Sequence, residues 1–173
     1  MTSNFRVLGA GVWGLAFSDY LLKLGHNVEI FCRDTNLSSK DIIGLNLSHV
    51  SDDNMKSLDT LNTQKSNDVI NIIAVNSKGF SELLNKHESY FNTLNELVSL
   101  TKGLDHISGK YFSDYVFDMF SNVKKYGLIS GPSFAKDLCC EKKISVSFAT
   151  SNYELSKLME EATKSSYFEM IPT

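Results

Sequence analysis

The sequence predicts an α/β fold: a doubly wound, mostly parallel sheet with helices on both faces. Three observations carry this expectation. Short apolar runs that read as strands alternate with segments of helical spacing from Phe5 onward. The first run ends in a glycine-rich turn, Gly9-Ala10-Gly11-Val12-Trp13-Gly14, that opens a helical pattern. Val69–Val75 is almost continuously apolar, as a strand covered on both faces must be.

Taken in order, Phe5–Leu8 is a buried strand stopped by Gly9. Apolar residues at 13, 16, 17, 20, 21 and 24 then mark one face of a helix from Trp13 to Leu24, ended by Gly25. Val28–Cys32 is the second strand. The stretch Asp34–Lys65 is rich in Ser, Asn and Asp without a sustained period; it reads as a short helix followed by irregular chain. Beyond the break at Ser66-Asn67 come the strand Val69–Val75, a helix carrying Phe80, Leu84 and Phe91, and a strand at Leu97–Leu100. Ile107, Tyr111, Tyr115 and Met119 recur every four residues and predict a helix. Tyr126–Ser130 and Ser145–Ala149 are two more strands, with a short helix from about Ser133 between them, and Tyr153–Lys164 is the last helix. No repeat or linker divides the 173 residues, so residues 1–173 are expected to form one domain.

Composition narrows the function classes. Hydrophobic residues make up 42% and charged residues 21%, enough apolar surface for a packed core. Lys and Arg number 17 against 20 Asp and Glu, a net charge of −3, which argues against a nucleic-acid binder with its basic stripe. No apolar run approaches the ~18 residues of a membrane span, and no secretion signal opens the chain. A cytoplasmic location is expected, so the glycosylation patterns at Asn36 and Asn46 are chance matches. Three cysteines, Cys32, Cys139 and Cys140, form no CxxC pair, and His26, His49, His87 and His106 share no ligand spacing. No metal is expected.

The glycine turn carries the chemistry. Between strand and helix, Gly9 permits a tight turn, Gly11 lets the backbone approach a pyrophosphate, and Gly14 lets helix pack closely on sheet. This is the dinucleotide-binding pattern of the Rossmann-type fold. An acidic residue at the end of the second strand would bind the ribose 2′-hydroxyl, and an arginine a 2′-phosphate. The chain has both, Arg33-Asp34, and leaves NAD and NADP open.

Two later segments sit where strands end: Val98-Ser99-Leu100-Thr101-Lys102-Gly103 and Leu128-Ile129-Ser130-Gly131-Pro132-Ser133-Phe134-Ala135-Lys136. Ligands of open α/β sheets gather at those carboxyl ends. With these three segments the chain resembles the NAD(P)-dependent glycerol-3-phosphate dehydrogenases of bacterial type. Its first turn is similar to that family's Gly-Ala-Gly-Ser-Trp-Gly, with Val12 in place of Ser, and the Thr-Lys-Gly and Ser-Gly-Pro-Ser-Phe-Ala segments follow in order.

The resemblance implies that Gly9, Gly11, Val12, Trp13 and Gly14 line the pyrophosphate, with Arg33 near the adenosine. It implies that Lys102 reaches both cofactor and substrate, that Gly131 and Ser133 contact substrate, and that Ala135 contacts the cofactor. The implied reaction is reduction of dihydroxyacetone phosphate to sn-glycerol 3-phosphate, Lys102 supplying a cation to the carbonyl oxygen or the phosphate. Two departures stand out. Val75-Asn76-Ser77 replaces the family's Val-Pro-Ser. The family's helical second domain, with its general-acid lysine and phosphate-gripping Arg–Asn pair, would begin where this chain reaches Thr173. The chain alone is therefore expected to bind cofactor without enzyme-like turnover, and the face toward the missing half to favour self-association. A non-catalytic dinucleotide-binding module and a 3-hydroxyacid or ketopantoate-type dehydrogenase are the alternatives; the Thr-Lys-Gly and Ser130–Ala135 segments disfavour the latter.

Overall fold

The computed structural model describes residues 2–36, 45–64, 68–132 and 134–173. The chain runs β1 (Asn4–Leu8), α1 (Val12–Lys23), β2 (Asn27–Cys32), β3 (Met55–Ser57), β4 (Ile70–Ile73), α2 (Ser77–Lys86), α3 (Glu88–Phe91) and β5 (Glu96–Ser99). It continues through α4 (Phe112–Met119), β6 (Lys125–Ser130), α5 (Ala135–Cys139), β7 (Ile144–Ala149), α6 (Tyr153–Thr163) and β8 (Phe168–Pro172). The strands form one sheet in the order β3-β2-β1-β4-β5-β6-β7-β8. Pairings from β3 across to β6 are parallel, β7 is antiparallel to β6, and β8 is parallel to β7. The strand order reverses between β1 and β4, which opens a crevice at their carboxyl ends.

Each face of the sheet is covered by its own helices. One core packs α1, α5 and α6 through Leu15, Phe17, Leu21, Leu138, Leu155 and Met159. The other packs α2, α3 and α4 through Phe80, Leu84, Tyr90, Phe91, Phe112 and Val116. Helix α1 is the most enclosed: every residue from Gly14 to Leu21 is buried. Its one buried carboxylate, Asp19, accepts the backbone N–H groups of Ser48, His49 and Val50 at 2.9, 2.6 and 2.9 Å. That clamp ties the incoming connection to α1.

Polar groups also cross the sheet under the crevice. Arg6 on β1 lies beside Glu29 on β2 and Asn71 on β4. Its guanidinium donates to Glu29 Oε2 at 2.8 and 3.1 Å and to the Tyr90 hydroxyl at 2.7 Å, which in turn donates to Asn71 Oδ1 at 2.5 Å. A buried cation is tolerable here because acceptors meet it.

Several elements differ from the sequence expectation. Within Asp34–Lys65 the described part holds the short strand β3 between two 3₁₀ turns, Asp52–Asn54 and Leu58–Thr63; the expected short helix falls largely on residues outside those described. The helix expected to include Phe91 breaks at His87, whose φ of −116° ends α2, and Phe91 belongs to α3. Ile107 is 80% exposed in a turn, not on α4. The carboxylate of Asp105 captures the N–H groups of Ile107 and Ser108 there, a local alternative to helix. The strand β8 follows α6 unannounced. The helix expected from about Ser133 begins at Ala135 and is five residues long.

Candidate functional site

The turn after β1 separates the glycines by role. Gly9 has φ +121°, and a Cβ there would lie 2.6 Å from the Ala74 carbonyl oxygen. Gly14, inside α1, would place a Cβ 2.4 Å from the Gly9 carbonyl oxygen. Both positions are closed by the protein itself. Gly11 is not: its φ of −73° and ψ of 172° suit any residue, and a Cβ there would meet no atom of the described residues within 4 Å. Of these three glycines, Gly11 is the one with space on its outer side among the described residues.

Gly11 is also the N-cap of α1, without a side-chain cap, and the first turn carries no acidic residue. The first helical bond is Leu15 N–H to Gly11 O at 2.9 Å, so the N–H groups of Val12, Trp13 and Gly14 have no acceptor within the helix. Val12 is 49% exposed at this end, whereas Trp13 leans onto Phe17 with ring centroids 6.2 Å apart. The uncapped helix end, with its positive dipole end, borders a cleft of about 420 Å³ lined by Gly9, Gly11, Arg33, Leu58, Val75 and Asn76.

At the β2 side of this cleft Arg33 is exposed. Asp34 is turned back on the chain, its Oδ1 accepting the Asn36 N–H at 2.9 Å. Both side chains are exposed and line this wall of the cleft.

On the other side, three loops meet. Thr101, buried after β5, donates its hydroxyl to the Val75 carbonyl after β4 at 2.7 Å. Lys102 is exposed, and its Nζ donates to the Gly131 carbonyl after β6 at 3.1 Å. Gly131 itself has φ +146° and lies against β7. Lys102 and Gly131, substrate contacts by the family resemblance, are therefore in direct contact. Ser133 lies outside the described residues. Ala135 opens α5 with its methyl buried in the α1 core, spent on packing.

Sequence reasoning named Thr101 and Asn76 within their segments but assigned neither a role in the site. Asn76 caps α2 by accepting the Gly79 N–H on its Oδ1 at 2.8 Å. Its φ of −71° lies within the range of proline, so the loop keeps the backbone direction that Val-Pro-Ser would impose. Asn at the foot of a helical pattern was the available signal.

Just past Lys102, Asp105 stiffens the loop. Its Oδ2 accepts from the Ser108 N–H and hydroxyl, both at 2.8 Å, and from the Ile107 N–H at 3.2 Å. The backbone N–H of Ser108, foremost among these donors, holds the carboxyl down at about 2. Far from the crevice, His87 is buried with neither ring nitrogen bonded among the described residues, and burial lowers its pKa. Among the described residues no cluster of side chains is suited to a metal ion, and no helix is long and apolar enough to cross a membrane.

Comparison with known proteins identifies the family and the fold. A Francisella tularensis subsp. novicida glycerol-3-phosphate dehydrogenase [NAD(P)+] is 27% identical over 189 aligned positions, covering all of this chain and 54% of the relative. The corresponding Thioalkalivibrio sulfidiphilus protein is 30% identical over 137 positions, 76% of this chain and 41% of its own length. The chain thus spans about half the length of these relatives. In fold, the crystal structure of glycerol-3-phosphate dehydrogenase from Coxiella burnetii matches 99% of this chain and 54% of its own, with TM-score 0.79 at 22% identity. A Plasmodium falciparum pyrroline carboxylate reductase crystallised with NADP bound matches at TM-score 0.66 and 12% identity, over 99% of this chain and 57% of its own. The family model described as NAD-dependent glycerol-3-phosphate dehydrogenase N-terminus matches residues 4–156, and the chain belongs to that family.

Proposed function

We propose that residues 1–173 form the dinucleotide-binding domain of a glycerol-3-phosphate dehydrogenase, taking NAD(H) or NADP(H) in the crevice between β1 and β4. The observation that carries this is the contrast among the glycines: Gly9 and Gly14 are filled by the fold, whereas Gly11 faces open space beside an uncapped helix end. A pyrophosphate supplies the charge and size that this place accepts.

The cofactor supplies or accepts hydride; the chain's own part is to bind and orient. Gly9, Gly11, Val12, Trp13 and Gly14 would surround the pyrophosphate, and Arg33 would face the adenosine. Ala135, its methyl buried in the core, would meet the cofactor through its backbone at the start of α5. Lys102 would leave the Gly131 carbonyl to meet the phosphate or carbonyl oxygen of dihydroxyacetone phosphate, with Gly131 and Ser133 beside it. The likeness to dehydrogenases acting on glycerol 3-phosphate supports this substrate class.

Isothermal titration of the chain with NADH and NADPH tests the reading. Binding of at least one at submillimolar concentration is expected; none at millimolar concentration in a folded sample would overturn it. Arg33 and Asp34 both stand exposed on this wall, so Arg33 would meet the 2′-phosphate of NADPH and Asp34 the 2′-hydroxyl of NADH. Arg33→Ala should accordingly weaken NADPH about tenfold more than NADH. Equal losses for both would show a role confined to stacking on adenine.

A further inference from the structure

One backbone donor in the cleft is unspent, and the sheet itself aims it. Along β4, ladder groups alternate in direction. Ala74 faces β1, its N–H donating to Leu8 O at 2.8 Å, and Ile73 faces β5, its carbonyl accepting from Leu100 N–H at 2.8 Å. Val75 again faces β5, because its carbonyl accepts the Thr101 hydroxyl at 2.7 Å. No peptide bond among the described residues is cis, so the N–H of Asn76 points opposite to the Val75 carbonyl, toward the β1 side.

Among the described residues no strand is there to receive it. Pairing of β1 with β4 ends at Leu8 opposite Ile73, and Gly9 has turned to β2, donating its N–H to Phe31 O at 2.8 Å. The Asn76 N–H has no acceptor among the described residues, and Asn76 is exposed on the cleft wall. Thr101, only 4% exposed, fixes the peptide plane from behind. The donor is therefore oriented before any ligand arrives.

Resting on the dinucleotide reading above, we propose that the backbone N–H of Asn76 donates a hydrogen bond to a ribose oxygen on the nicotinamide side of the bound cofactor. Position along the sheet selects that half. Arg33 follows β2 and the glycine turn follows β1, so β4 is the next strand on the way to β5, which Lys102 follows. An adenosine diphosphate held at β2 and β1 ends short of it.

The test compares two substitutions. Asn76→Pro and Asn76→Ala both remove the side-chain cap on Gly79, but only proline removes the N–H, and the native φ of −71° already suits its ring. Relative to Asn76→Ala, Asn76→Pro should raise the Kd for NADH about tenfold and leave ADP within about twofold. Equal NADH binding by the two variants, or an equal loss for ADP, would overturn the proposal. A second reading needs no proline: in the 15N-labelled chain the Asn76 amide resonance should shift with NADH and not with ADP, and a shift of the same size with both would contradict it. If the unaltered chain binds no NADH, the dinucleotide reading itself fails and takes this inference with it.

Discussion

The two ends of the crevice are built on different principles. At the β1–α1 end the site is made of backbone and of missing side chains: Gly9 and Gly14 are pressed within 2.6 and 2.4 Å of carbonyl oxygens at the Cβ position, and helix N–H groups face outward. At the β5–β6 end it is made of one long side chain, Lys102, resting on the Gly131 carbonyl and steadied by neighbours that never face the cleft. Thr101 pins the loop to β4 and Asp105 gathers the turn beyond it. A backbone-built end tolerates almost no added atom. A side-chain-built end tolerates change in proportion to how well its supports hold.

The sharpest way to break this contrast is Gly14→Ala. Alanine favours a helix by about 1 kcal/mol over glycine. The new methyl, however, meets the Gly9 carbonyl of a tight turn, and overpacking of that kind costs about 3 kcal/mol. A net destabilisation of about 2 kcal/mol is expected in denaturant unfolding, because a backbone oxygen cannot swing aside as a side chain would. Unchanged or raised stability would show that the turn yields, and that its closeness to α1 is incidental.

A smaller effect is expected at the other end. In Asp105→Asn the amide oxygen still accepts the Ser108 N–H, but without charge, so a loss of about 1 kcal/mol at neutral pH follows. The carboxyl's native pKa, about 2, lies below its ordinary 3.8. Folding therefore gains from its ionisation fully above about pH 4, and this gain is lost as pH falls through about 2. The difference between the two proteins should accordingly shrink as pH is lowered from 5 toward 3. A difference that stays constant across that range would mean that the charge of Asp105 does not steady the loop.

The same contrast explains what was legible in the sequence. Gly9, Gly11 and Gly14 announce themselves because backbone chemistry restricts residue type at fixed spacing, and the strands on either side of them were equally plain. Lys102 is an exposed lysine whose place beside Gly131 depends on a fold, so only resemblance singled it out. The bracing roles of Asp19 and Thr101 were invisible because their partners, the N–H groups at 48–50 and the Val75 carbonyl, are distant in sequence. The strand Met55–Ser57 has one buried residue and no period to detect. In Phe168–Pro172 a two-residue alternation exists, with Phe168 and Met170 inward, but exposed Ile171 and the proline obscure it. Ile107 shows the opposite error: its four-residue spacing matched a helix, although Asp105, Ser108 and Gly109 already spelled a turn.

The central claim is that Gly11 is kept free of a side chain for a ligand and not for the fold. Gly11→Ala tests it directly, with denaturant unfolding and NADH titration on the same sample. A Cβ at this position meets nothing among the described residues, and the backbone there suits alanine, so stability should change by less than about 1 kcal/mol, most of it from the weaker N-cap. The Kd for NADH should rise at least about tenfold, because the methyl stands where the pyrophosphate approaches. Unaltered affinity, or a loss of stability as large as that of Gly14→Ala, would contradict the account.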